Sequence, residues 1–255
     1  MPHLFSRTLP SSRAALALLA LITAALSTGC ATTAHSQDPL EPVNRTVFSL
    51  NDGLDRAIFQ PAATAYQKVV PPVVQTGVSN FFSNLKTPWS SANLLLQGRG
   101  REGASTIARF GINTTVGVLG VVDVATGWGM PPRAEDFGLT LDTWGLGTGP
   151  YVVLPLLGPS NVRDVLSRPV DSLGSLQASD IAVRNSLTAL QMVSKRADLL
   201  EMTRLLDQAA LDKYAMVRDA HIKRRNRSAA PPGALTETQG ALPAEDPADG
   251  ERLVR

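Results

Sequence analysis

IAVRNSLTALQMVSKRADLLEMTRLLDQAALDKYAMVRDAHIK, residues Ile181 to Lys223, decides the fold class. Val183, Leu187, Leu190, Val193, Ala197 and Leu200 recur at helical spacing and form one apolar stripe. Arg184, Asp198, Glu201, Arg204 and Asp212 fall between them. After a slip in phase the stripe resumes as Leu206, Ala210, Tyr214 and Val217. The pattern predicts one long helix or a helical hairpin, bent or turned between Thr203 and Asp207, with Asp180 or Asp207 as a cap. The chain is expected to be mainly α.

The upstream sequence extends this reading. Asp38-Pro39-Leu40-Glu41 has the spacing of a capping box, so a helix start is predicted there, tightened or ended by Pro42. Val47, Leu50, Leu54 and Ile58 are helically spaced up to Pro61, and Val74, Val78, Phe81 and Phe82 repeat the pattern beyond Pro71-Pro72. Asn93 to Gln97 and Gly103 to Val118 read as short helical pieces punctuated by glycine. Two stretches are different. Ile112 to Gly129 carries Asp123 as its only charge and is apolar around most of its circumference, as in a buried core helix or a membrane-immersed one. Trp144 to Pro159 places Gly145, Gly147 and Gly149 before an apolar run, which predicts a bent hairpin or mobile loop.

The N-terminal segment reads as export chemistry. Arg7 and Arg13 flank the apolar or small-residue run Ala14 to Leu26, which is shorter than the roughly 20 residues of a bilayer span. Cys30, the only cysteine, follows Leu26-Ser27-Thr28-Gly29, a bacterial lipobox in which leucine stands one residue earlier than usual. A lone thiol has no disulfide partner in an oxidising compartment. Acylation of Cys30 would anchor the chain, each buried CH₂ contributing about 0.8 kcal/mol. Ala31 and Thr32, rather than aspartate, follow the cysteine, a pattern that in bacterial lipoproteins favours the outer membrane. The expected division is a signal at 1–29, a lipidated tether at 30–37, a helical domain at 38–227 and a disordered tail at 228–255. Two of the 24 basic residues precede Cys30 and all 22 acidic residues follow it, which leaves 22 of each sign in the mature chain. Such neutrality gives a nucleic-acid partner no electrostatic support.

Catalytic chemistry has little footing. His3 lies in the signal and His35 in the tether, so His221 alone serves the helical part, and neither a histidine metal site nor a G-x-S-x-G nucleophile turn is present in the sequence. No cofactor is implied. Glu135-Asp136 reads as a helix cap. Gly98-Arg-Gly100-Arg-Glu-Gly103 lacks the P-loop lysine and reads as a turn. The basic run from His221 to Arg227 is either a solvated helix end or a lipid-headgroup contact.

Ordered blocks along the chain carry a resemblance. They are Asp38-Pro39-Leu40-Glu41-Pro42-Val43-Asn44-Arg45, Gly77-Val78-Ser79-Asn80-Phe81-Phe82-Ser83-Asn84-Leu85, Leu96-Gln97-Gly98 and Arg109-Phe110-Gly111-Ile112-Asn113-Thr114. They continue with Gly117 to Ala125, Glu135 to Leu141, Trp144 to Pro155, Gly158 to Asp164 and Tyr214 to Ala220. The chain resembles the MlaA (VacJ) family from about Asp38 to Arg225. That resemblance implies a ring of short amphipathic helices embedded in the outer membrane, with an amphipathic channel and a glycine-rich hairpin at its mouth. It also implies removal of misplaced phospholipid from the outer leaflet, its delivery to a periplasmic lipid carrier, and association with a trimeric outer-membrane porin. Arg109, Asp123 and Arg163 are candidates for the polar lining of the channel, although Arg163-Asp164 reads equally as a cap and ion pair. A non-transporting, porin-associated envelope lipoprotein and a membrane hydrolase are the competing functions.

If Cys30 carries the anchor, Cys30→Ser accumulates as unprocessed precursor and takes up no alkyne fatty acid, while wild-type processing is blocked by globomycin. Globomycin-insensitive processing of unlabelled wild-type protein would overturn the assignment.

Overall fold

The computed structural model describes residues 38–174 and 180–229. Cys30, the signal and the tether lie outside them, as does the expected tail beyond Ala229. Helix α1 (Glu41–Leu54) passes through a π-turn (Asp55–Phe59) into α2 (Gln60–Val69), and α3 (Pro72–Leu96) is followed by α4 (Gly100–Thr115). Two short helices follow, α5 (Val124–Gly127) and α6 (Phe137–Thr143), and then an antiparallel hairpin of β1 (Tyr151–Leu154) and β2 (Gly158–Asn161). The series ends with α7 (Val162–Asp171), a 3₁₀ turn (Ser172–Gly174), α8 (Ile181–Asp198), α9 (Leu200–Ala209) and α10 (Lys213–Ala229).

Local chemistry sets these boundaries. Pro42 and Pro72 occupy first turns, where the missing N–H is not needed. Pro61 is accommodated because the chain widens into the π-turn just before it. At the end of α3, Gly98 takes φ +76°, and the amides of Gly98 and Arg99 close on the carbonyls of Leu95 and Leu94 in a Schellman motif. Asp136, Asn161 and Asp180 cap α6, α7 and α8. Asp212 accepts the amide of Ala215 at the start of α10.

Several expectations need correction. Asp38 does not cap α1. Its fully buried carboxylate instead accepts from Asn44 Nδ2 at 2.8 Å, Tyr214 Oη at 2.5 Å and Arg218 Nη1 at 3.3 Å, tying the start of the chain to α10. Asn93 to Gln97 is no separate piece, because α3 runs unbroken through Pro88. The C-terminal breaks fall at Leu199 and at Ala210–Asp212 rather than at Thr203–Asp207, because Leu200 turns inward onto Ala63 and Ala197 and Asp212 supplies a fresh cap. Ile112 to Gly129 is neither kind of helix proposed for it. After Thr115 the chain coils through Val118, Leu119 and Gly120 at φ 51°, 56° and 85°. A Cβ on Gly120 would lie 2.5 Å from Asn84 Nδ2, so only glycine passes there.

That coil satisfies its own backbone: Leu119 N donates to Thr114 O, Gly120 N to Asn113 O and Val122 N to Gly117 O. Val116, Val118, Leu119, Val121 and Val122 are left exposed. The hairpin follows the same rule. Asn44 bridges Tyr151 O and Val153 N, and Asn51 bridges Leu154 O and Leu156 N, so two amides on α1 act as the next strand beside β1. Leu156 and Leu157 at the hairpin tip project outward.

The packing contacts close into a circuit. α1 lies on β1, β1 pairs with β2, β2 meets α7, α7 meets α6, and α6 meets α3; α3 then meets α8, α8 meets α2, and the π-turn returns to α1. Arg196 clamps this return with a two-point contact to Asp55 at 2.6 and 2.8 Å. Among the described residues, 18 buried side chains are polar or charged and 10 are apolar, while 32 large apolar side chains are exposed. Polarity therefore runs opposite to that of a water-soluble core. No described helix is long and apolar enough to cross a membrane.

Asp38→Ala removes the buried acceptor shared by Asn44, Tyr214 and Arg218, leaving Arg218 with Asp219 and Glu41. Chemical denaturation in detergent is expected to show a loss of about 3 kcal/mol, chiefly from the buried donors left without a partner.

Candidate functional site

Within the circuit lies a cavity of about 780 Å³, walled by α3, α7, α8, α10 and β2 together with the extended segment before α6. α3 contributes Phe82, Lys86, Trp89 and Ser90, residues that share a face at helical spacing. α7 adds Asp164, Arg168 and Asp171, and α10 adds His221, Arg224 and Arg225 through the same periodicity. The surface is amphipathic: aromatic rings from α3 share it with charged side chains.

Arg225 organises the charged side. Its Nη1 meets Asp136 Oδ2 at 2.6 Å and its Nη2 reaches both Asp136 and Asp164, joining α6, α7 and α10 at one guanidinium. Gly138 fits beneath because a Cβ there would lie 2.6 Å from Asp164 Oδ1. Against the cost of burial, Arg225 holds the Asp136 carboxyl below the ordinary range; at Asp164 burial prevails over Arg225, with repulsion from Asp136 beside it, and the pKa rises. Asp171 spends its oxygens on Trp89 Nε1, Phe137 N and Ser167 Oγ at 2.8–2.9 Å, which fixes the tryptophan in the wall.

Two titrating groups face the cavity without a counter-charge. Lys86 is solvent-accessible but surrounded by protein, and burial together with the neighbouring Lys195 lowers its pKa to about 8. His221 packs edge-on against Tyr151 with ring centroids 5.8 Å apart. Burial, with Arg224 and Arg225 adding repulsion, brings its pKa down to about 4.

The residues anticipated from sequence sit elsewhere. Arg163 does not line this cavity. Only 1% exposed, it pairs with Asp142 and donates to Leu146 O, while its own amide meets Thr148 O, so it fastens the glycine segment to α6 and α7. Gly145, Gly147 and Gly149 form the lead-in to β1, and the hairpin turn is Pro155–Leu157. Gly145 and Gly149 need positive φ, whereas Gly147 has open space around it. Arg109 and Asp123 do pair, with Thr126, Met130 O and Asn113 completing the cluster. They line a side pocket of about 180 Å³ that shares Ser83 with the central cavity. Despite burial, hydrogen bonds from Thr126, Arg109 and Asn113 hold Asp123 at about 2. Asp136 caps as expected. The run from His221 is not simply a solvated helix end, because His221 and Arg225 turn inward. Lys86, Arg133 and Arg168 were not singled out from the sequence; the only available signal was a lysine on the apolar side of α3. No cluster of three metal-binding side chains occurs among the described residues.

The native state disfavours protonated His221, so its contribution to stability is lost as pH falls from about 6.5 toward about 4 and changes little below that. His221→Gln is expected to flatten the fall in denaturation midpoint across that window.

The sequence has named relatives and the fold has a counterpart of known structure. The chain is 38% identical over 221 residues to the intermembrane phospholipid transport system lipoprotein MlaA of Shigella flexneri, spanning 83% of this chain and 87% of that one. The protein of the same name from Escherichia coli K12 is 37% identical over 228 residues, with the same shares covered. A solved structure described as the structural basis for maintenance of bacterial outer membrane lipid asymmetry superposes with a TM-score of 0.66 at 35% identity, covering 76% of this chain and 99% of that one. Residues 36–228 match the MlaA lipoprotein family model, a span that contains the helical circuit and all its cavity-lining residues, and the chain belongs to that family.

Proposed function

We propose that this chain is an outer-membrane lipoprotein that takes misplaced phospholipids from the outer leaflet and passes them to a periplasmic carrier, maintaining lipid asymmetry. The observation that carries the reading is the reversed polarity of the circuit: apolar side chains outside, charge inside, and a cavity of about 780 Å³ between them. An apolar exterior suits lipid only if the backbone beneath it is satisfied, and both the 116–122 coil and the hairpin meet that condition. The phospholipid-transport names of its relatives support the same reading. On this view the work is transfer rather than bond cleavage. Cys30 is the lipid anchor, a trimeric porin holds the ring in the membrane, and Gly147 is the pivot of the segment entering β1.

In a Gram-negative strain lacking its own family member, the protein is expected to lower the outer-leaflet phospholipid accessible to added phospholipase, and detergent-purified protein is expected to retain phospholipid in native mass spectrometry. Proline fixes φ and removes an N–H, so Gly147→Pro is expected to abolish clearance at unchanged membrane level and thermal midpoint. A wild type that retains no lipid and leaves the outer leaflet unchanged would instead support a non-transporting envelope role. Clearance lost by Gly147→Pro only in proportion to folded protein would make the glycines structural.

A further inference from the structure

The central cavity has more donors than acceptors. Among the described residues, Lys86, Arg168 and Arg224 line it without a carboxylate in ion-pair reach. Four lining residues also carry a buried nitrogen with no hydrogen-bond partner: Arg133 Nη1, Arg168 Nε, His221 Nε2 and Arg225 Nε. Arg225 itself is only 8% exposed. The arginine nitrogens can only donate, so the wall asks for an acceptor.

The acids of the wall do not meet that demand. Asp136 and Asp164 are taken by Arg225, Glu135 by Arg99 and Gln97, and Asp171 by neutral donors. Lys86 faces another cation, Lys195, and its lowered pKa fits an ammonium that lacks an anion. The same wall carries Phe82, Leu85 and Trp89 from α3. The volume lies within the roughly 300–1,000 Å³ of pockets that enclose small ligands.

Resting on the lipid-transport reading, we propose that Lys86, Arg168 and Arg224 form a phosphate-binding station that holds the phosphodiester of a phospholipid headgroup while Phe82, Leu85 and Trp89 receive its hydrocarbon. Phosphate oxygens accept from several directions at once, which suits donors arriving separately from α3, α7 and α10. A bound anion supplies a counter-charge beside Lys86 without disturbing the Arg225 fork.

The test uses detergent-purified full-length protein, with short-chain phosphatidylglycerol, the diacylglycerol of equal chain length and inorganic phosphate as probes in calorimetry. The wild type is expected to bind the phospholipid at least about tenfold more tightly than the diacylglycerol, and Lys86→Gln with Arg168→Gln is expected to erase that difference at an unchanged thermal midpoint. Arg224→Gln, on an exposed side chain, is expected to give a partial loss and serves if the double variant folds poorly. A preference for phosphate lipid that survives both sets of substitutions overturns the station. Equal competition by inorganic phosphate overturns the headgroup assignment and leaves a free-anion site. If the wild type binds the two lipids equally, the station fails but lipid handling stands; if it binds neither, both fail.

Discussion

Backbone groups beyond the reach of water must find partners within the chain, and in this fold side-chain amides meet much of that demand. Asn44 and Asn51, seven residues apart on α1, each accept one amide and donate to one carbonyl along β1 and its turn. A two-stranded sheet is marginal alone and its edge invites pairing. Here the edge is completed by a helix. Asn113 does similar work for the 116–125 region, accepting Ala125 N and donating to Asp123. With such ties in place, apolar side chains are free to cover the outside.

The same economy of charge shapes the interior. Arg218 gathers Asp38, Glu41 and Asp219, and Arg225 gathers Asp136 and Asp164; each guanidinium ties together segments far apart in sequence. Buried ion networks are costly unless their members are fully engaged. In the cavity that cost frames a surface in which Lys86, Arg168 and Arg224 have no acid beside them. The wall is consequently rigid where its charges pair and receptive where they do not.

Sequence periodicity exposes the helical segments because a helix repeats its face every few residues, and Asp136 and Asp180 announce their caps through local spacing. Break points are less legible. Leu199 ends α8 because Leu200 packs onto Ala63, a contact with a helix over a hundred residues away. Long-range pairing hides the cavity for the same reason: of the two readings open for Arg163, lining or ion pair, its pairing is with Asp142, 21 residues away in sequence, and nothing in the local sequence marks Lys86 as a residue of the cavity wall. The asparagines and aspartates in the family-like blocks, Asn44, Asn84, Asn113 and Asp164 among them, are largely the tie points of the interior.

An interior of amides, hydroxyls and charges has a thermal consequence. Exposing apolar surface raises the heat capacity of unfolding by about 0.45 cal/K/mol per Å², and exposing polar surface lowers it by about 0.26. When the surface released by unfolding is mostly polar and the apolar exterior is covered in either state, the two contributions offset. The dome of stability against temperature then broadens, and the protein keeps a similar margin in cold and in warmth rather than a sharp optimum.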